Sequence, residues 1–200
     1  MKPLLVVYAT REGHTRTVAE HVCSTMRARG DAVDVVDVAQ GSAALDLSRY
    51  AGVVIAASVH LGKHEREMIR FVKANHAALD RLPTAFLSVS LSEVDVEDLT
   101  APFERRAKAA EDVKRMVESF CHETGLHPSR VWPVAGALAY SKYGVLERFV
   151  MKMIARKAGA ETDTSRDQDF TDLAALDRFV SVMAGEMEHP AAPAPRAAQG

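Results

Sequence analysis

VVYATREGHTRTVAEHV, residues 6–22, is the stretch on which the fold turns. An apolar run breaks at TREGHT, and a helical pattern marked by Val18, Val22 and Met26 follows it. A helix mouth offers backbone N–H groups with no intrahelical partner and the positive end of the helix dipole. Thr10 and Thr15 add hydroxyl donors there, and Gly13 allows a bound group to come close to the backbone. Such a loop can hold a phosphate largely by its backbone. It can equally be an ordinary helix start, with Thr10 or Thr15 as N-cap. The loop by itself leaves both readings open.

Outward from this stretch, five apolar runs alternate with segments of helical period: 4–9, 32–38, 52–59, 84–91 and 131–138. The intervening segments carry Met68, Ile69, Val72 and Leu79, then Val113, Met116, Val117, Phe120 and Cys121, and finally Leu173, Leu176, Val180, Met183 and Met187. This alternation is that of a parallel sheet covered by helices on both faces. Central strands of such a sheet read as continuous apolar runs, as the first, third and fourth do. The second run interleaves Asp34 and Asp37 with valines, and the fifth holds Pro133, which cannot donate to a ladder and belongs at an edge. The expected fold is therefore α/β, a doubly wound five-stranded parallel sheet of order 2-1-3-4-5, which is the flavodoxin-like arrangement.

Two regions exceed what that sheet requires. Residues 92–130 read as an acidic loop, SEVDVEDL, and a long charged helix, while about 139–170 read as a helical insert after the fifth strand. One domain is expected over 1–187, with 188–200, rich in Ala and Pro, as a disordered tail.

Composition narrows the classes. The 200 residues carry a formal net charge of −2, which argues against a basic field for nucleic acid. Cys23 and Cys121, the only cysteines, form no CxxC pair, fit a reduced compartment and read as small buried thiols. The chain start lacks a cleavage site, and no stretch reaches the ~18 apolar residues of a membrane span, so a cytoplasmic protein, soluble or peripheral, is expected. HEREM at 64 and HETGL at 122 lack the second histidine of HExxH, and no metal is expected.

In a doubly wound sheet, ligands sit at the carboxyl ends of strands where the winding reverses, here between the first and third strands. Thr10, Arg11, Glu12, Gly13, His14 and Thr15 occupy that place. Ser58, Val59, His60, Leu61 and Gly62 follow the third strand, and Ser90, Leu91 and Ser92 follow the fourth. Neither GxxxxGK[ST] nor GxGxxG is present. Three loops converging on one crevice suit a flat ring with a phosphate tail, for which FMN is the economical candidate.

The loop is similar to the flavodoxin fingerprint T-x-[TE]-G-x-T, met here by Thr10 through Thr15. Almost the whole chain, to about residue 186, resembles a narrower group. YATREGHT, IAASVHLGKH and above all GALAYSKYGVLERFVMKMIARKAGAETDT look like the menaquinone-dependent protoporphyrinogen IX dehydrogenase family, flavodoxin-like oxidases of haem biosynthesis. Ordinary flavodoxins lack the third stretch. Ala160 stands where the family commonly has glycine, and Leu61 where it commonly has an aromatic. The resemblance implies FMN-dependent oxidation of protoporphyrinogen IX, menaquinone or ubiquinone as acceptor, and peripheral attachment to the cytoplasmic face of the inner membrane.

Lys142, Arg148, Lys152, Arg156 and Lys157 accompany Leu146, Phe149, Val150, Met153 and Ile154, so a helix over about 144–158 carries a basic stripe beside an apolar one. Such a helix suits an anionic membrane surface, or packs on its own sheet or on a second subunit of a homo-oligomer. His60 and His64 are candidate proton acceptors at the crevice, the alternative being loop-stabilising histidines. An electron-shuttling flavodoxin, a quinone reductase of another partner and a cofactor-free module remain alternatives to the enzyme.

Overall fold

The computed structural model describes residues 2–41, 45–138 and 168–188. Strand β1 (Leu4–Ala9) leads into helix α1 (His14–Ala28), and β2 (Val33–Asp37) follows. Next come β3 (Gly52–His60), the two-residue β4 (Lys63–His64), α2 (Arg66–Leu79) and β5 (Thr84–Ser90). Helices α3 (Ser92–Glu97) and α4 (Phe103–Thr124) precede β6 (Arg130–Ala135). Finally β7 (Ala137–Leu138) pairs antiparallel with β8 (Gln168–Asp169), before α5 (Leu173–Glu188).

The main sheet runs β2-β1-β3-β5-β6 with every pair in that path parallel, so the five long strands stand in the expected order. The sheet has one strand more than expected, because β4 folds back antiparallel onto the end of β3. Side chains alternate between two cores, as the period of a strand demands. Leu4, Val6 and Tyr8 face the core covered by α1 and α5, while Leu5, Val7 and Ala9 face the one covered by α2 and α4. The same alternation splits Val54 and Ala56 from Val53, Ile55 and Ala57 in β3. Burial on both faces explains the continuous apolar runs of the inner strands. Pro133 lies on the edge strand β6, opposite Ser88. Asp34 on the other edge, β2, accepts from the Tyr50 hydroxyl at 2.9 Å. Across α1 and α5, the Asp177 carboxylate accepts from the Thr25 hydroxyl at 2.7 Å and lies 2.8 Å from His21 Nε2.

Three sequence expectations change. SEVDVE forms a helical turn and a half rather than a loop, and α3 packs against α4 and β6. Glu93 within it is buried, and burial followed by the neighbouring Glu97 pushes its carboxyl up to about 7. The charge run is therefore only partly solvated. Residues 57–65 form a hairpin, not an open loop, with Leu61 and Gly62 at its tip. The insert over 139–167 and the tail beyond 188 lie outside the described residues, but the chain leaves for the insert at β7 and returns at β8, two paired strands.

His64 is the third correction. It belongs to the core beneath the crevice, only 4% exposed, with its ring tilted against both Phe86 and Phe120 at centroid distances of 5.2 and 4.9 Å. Its Nε2 lies 2.9 Å from Ser88 Oγ, and Phe86 and Phe120 stack on one another. The alternating polar surroundings of HLGKHE hide this, because β4 turns one side of the hairpin inward. Burial lowers the His64 pKa from 6.5 to about 4, so the ring is neutral in the folded protein. A folded-state pKa below the unfolded one contributes stability that is complete above pH 6.5 and is lost as the pH falls toward 4. Glu93 acts with the opposite sign, its contribution fading as the pH rises toward 7, so the total pH profile mixes the two. The prediction is therefore a difference: in chemical denaturation, the stability gap between the unaltered protein and His64→Gln should narrow by about 1.4 kcal/mol per pH unit on acidification through that window. A constant gap would contradict a buried neutral His64.

Candidate functional site at the carboxyl edge of the sheet

The loop between β1 and α1 is set by one left-handed residue. Gly13, with φ 93°, stands at the N-cap of α1 and has no side chain to cap the helix. Its own N–H donates to Thr10 Oγ1 at 2.9 Å, so Thr10 closes the loop on itself rather than capping the first turn. The amides at the start of α1 thus remain available to an outside acceptor. Thr15 is fully buried, yet its Oγ1 has no hydrogen-bond partner among the described residues. Buried hydroxyls are seldom left unpaired, because the lost hydration costs about 1–3 kcal/mol. The ordinary N-cap reading fails on both threonines.

A buried carboxylate joins this loop to the end of β3. Glu65, whose side chain is 2% exposed, accepts from Arg11 Nε at 3.0 Å and from the Ser58 hydroxyl at 3.1 Å. It stands just before α2, where the helix dipole favours negative charge. His60 Nδ1 approaches Glu12 Oε1 to 3.9 Å and makes a second, looser link. His14 points back: its Nε2 is 3.0 Å from Thr171 Oγ1 and 3.8 Å from Asp169. The Thr171 hydroxyl spends its proton on the Ala135 carbonyl at 2.9 Å, so the His14 ring must donate to it through Nε2. His14 therefore ties α1 to the segment after β8, and its side chain is not free for a ligand.

Between the β3–β4 hairpin and the end of β5 lies a groove of about 330 Å³, at the small end of ligand pockets. Val59, Leu61, Gly62, Ser90, Leu91 and Ser92 line it, all of them expected. Asp112, Arg115 and Met116 of α4 form its third wall and were not. Leu61 is 93% exposed and holds φ at 49°, an unusual conformation for leucine that the positive φ of both residues in a two-residue hairpin turn imposes. The strain presents an apolar side chain at the groove's edge. Ser90 is buried at its base, and like Thr15 its hydroxyl has no partner. Arg115 is ion-paired with Asp112 one helical turn away.

Residues 5–165 match the flavodoxin domain. Protoporphyrinogen IX dehydrogenase (quinone) of Escherichia coli strain K12 is 30% identical over 186 residues, 93% of this chain and 97% of that protein. The chain belongs to this flavodoxin-domain family. The protein of the same name from Leishmania major is 30% identical over 178 residues, 88% of this chain and 72% of its own. A short-chain flavodoxin associated with a non-canonical PDU bacterial microcompartment shares the fold, with a TM-score of 0.54 at 14% identity over 94% of this chain and 99% of that one. The flavodoxin domain indicates FMN as the cofactor. The two unpartnered buried hydroxyls, Thr15 and Ser90, sit at the phosphate-type helix mouth and at the groove.

Sequence reasoning missed Glu65, Asp112, Arg115 and Met116. The i, i+3 spacing of Asp112 and Arg115 marks a helix pair but not the direction it faces. Among the described residues no helix is long and apolar enough to cross a membrane.

A phosphate at the β1–α1 loop predicts a specific dissociation of effects for Thr15→Val, which removes the hydroxyl and keeps the shape. FMN affinity, titrated by flavin fluorescence, should weaken by on the order of 1–2 kcal/mol. The denaturation midpoint of the flavin-free protein should stay level or rise, because an unpaired buried hydroxyl is lost. Unchanged FMN affinity would contradict the assignment.

Proposed function

We propose that this chain oxidises protoporphyrinogen IX to protoporphyrin IX with FMN and passes the electrons to a membrane quinone, menaquinone or ubiquinone. The observation that carries the reading is the groove between the β3–β4 hairpin and the end of β5. None of its described lining residues is aromatic, and among the described residues Val59, Leu61, Leu91 and Met116 give it an apolar face that suits a flat hydrophobic partner. An electron shuttle that covers its ring with aromatics would not present that face. The E. coli and Leishmania relatives support the choice by their names and their coverage.

FMN, when bound, supplies the redox chemistry. The residues of the chain hold and orient. The amides that open α1 and the Thr15 hydroxyl take the phosphate. Val59, Leu61 and Gly62 form one wall of the ring site and Ser90, Leu91 and Ser92 the other, while Ser58 and His60 turn to Glu65 and Glu12. Arg11 and Glu12 act by position, through Glu65 and His60. Arg115, at the mouth, presents a guanidinium that suits the carboxylates of a tetrapyrrole's propionate groups. Of the two histidines considered for proton acceptance, only His60, with 40% of its side chain exposed, has access to a substrate. A neutral imidazole there takes a proton from the substrate as electrons leave it.

The acceptor quinone is confined to lipid, so the site must reach a membrane. The basic and apolar residues of 144–158 lie in the sequence between β7 and β8 and are proposed to hold the protein on the cytoplasmic face of the inner membrane. Attraction of about 1 kcal/mol per basic residue is expected at an anionic surface.

The test uses the full-length, FMN-loaded protein with protoporphyrinogen IX and anionic vesicles containing menaquinone, read as porphyrin fluorescence under anaerobic conditions. Quinone-dependent porphyrin formation is expected. Reversal of Arg148, Lys152 and Arg156 to Glu should lower the vesicle-coupled rate while leaving the rate with a soluble quinone intact. A rate no faster than the non-enzymatic one would overturn the dehydrogenase reading and favour an electron shuttle.

A further inference from the structure

At the opposite, amino-terminal edge of the sheet, His76 and Asp80 from the last turn of α2 meet His127 from the link between α4 and β6. One ligand atom from each lies within 4.8 Å of the others. His76 Nδ1 is 3.8 Å from one Asp80 oxygen, and His127 Nδ1 is 3.8 Å from the other. We propose that this cluster is a binding site for a divalent transition ion of the zinc class, separate from the flavin crevice.

The tautomer of His76 is what distinguishes the cluster from a chance grouping of charges. Its Nε2 lies 2.8 Å from the Gly125 carbonyl, which can only accept, so Nε2 carries the proton. The lone pair of the neutral ring is then on Nδ1, facing Asp80. A ligating histidine that donates its other N–H to a backbone carbonyl is the usual outer-shell arrangement of protein metal sites. Gly125 makes it available. Its φ is 74°, it ends α4, and a Cβ there would lie 2.8 Å from His76 Nε2. The turn that stops α4 is thus the turn that orients the ring, and it delivers His127 two residues later.

The donor set selects the ion. Two imidazole nitrogens and a carboxylate suit zinc, nickel or copper, whereas calcium and magnesium prefer all-oxygen sites. Three protein ligands leave a position for water. With metal–ligand distances of ~2.0–2.1 Å, ligand atoms on a tetrahedron stand ~3.3 Å apart. The two 3.8 Å gaps run to different Asp80 oxygens and the set spans up to 4.8 Å, so the ligand atoms must close by between about 0.5 and 1.5 Å, which His127, its side chain 80% exposed, can do by rotation. The His76 and Asp80 pair, four residues apart on one helical face, needs little movement. Because the ligands are drawn from 76–80 and from 127, neither segment resembles a metal motif on its own. A bound ion would tie the end of α2 to the start of β6 across the base of the second core.

Zinc titration calorimetry on the chelator-stripped, FMN-loaded, full-length protein at neutral pH tests the site. One saturable equivalent of Zn²⁺ is expected, with a rise in the unfolding temperature because the ion binds only the folded state. His127→Ala and Asp80→Asn, both at solvent-accessible side chains, should each weaken that binding at least ~10-fold and cancel the thermal shift. Circular dichroism and retained flavin verify that the variants are folded. No saturable Zn²⁺ binding by the unaltered protein, or wild-type affinity in either variant, overturns the proposal.

Discussion

Glu65 is the constraint from which the crevice follows. A carboxylate taken almost wholly out of water is costly unless it is paired and hydrogen-bonded. Here its partners are Arg11, from the loop after β1, and Ser58, from the end of β3. Both can reach it only if those two strand ends lie side by side. The dipole of α2 adds to the same balance from below. One buried charge thus registers the phosphate-type loop against the hairpin that walls the ring site.

The rest of the sheet makes that registration durable. β1 and β3 are adjacent and parallel over most of their lengths, and both bury residues on two faces. Their carboxyl ends are where the winding reverses, the place where an open α/β sheet leaves room for a ligand. α4 packs through Phe120 on Phe86 and His64, and in doing so brings Asp112, Arg115 and Met116 to the groove. Core packing and site geometry are therefore coupled through one long helix. The chain leaves for the long insert at β7 and returns at β8, two strands paired with one another.

Much of this was legible in the chain. Continuous apolar runs in β1, β3 and β5, and acidic or proline residues in β2 and β6, follow from burial on two faces against one, and they fix the strand order. TREGHT by itself reads equally as a ligand loop or an ordinary helix start, and its place where the winding reverses is what favours the ligand. What could not be read depends on contacts between distant segments. His64 and His60 look alike in HLGKH, yet β4 turns one into an aromatic core and leaves the other at the rim. Glu65 looks like a surface acid before a helix, and only the approach of Arg11 and Ser58 makes its burial tolerable. SEVDVE looks like a solvated run, because the apolar faces of Val94 and Val96 are too few to announce a helix of six residues.

Electrons are proposed to pass from a porphyrinogen into a flavin held by the β1–α1 loop and the groove between the β3–β4 hairpin and β5. Stopped-flow absorbance of the FMN-loaded protein, mixed anaerobically with protoporphyrinogen IX in the absence of any quinone, tests it most directly. Loss of the oxidised-flavin band in step with substrate consumption is expected, with its return when a quinone is added. A flavin band that stays unchanged over many times the turnover interval would contradict it.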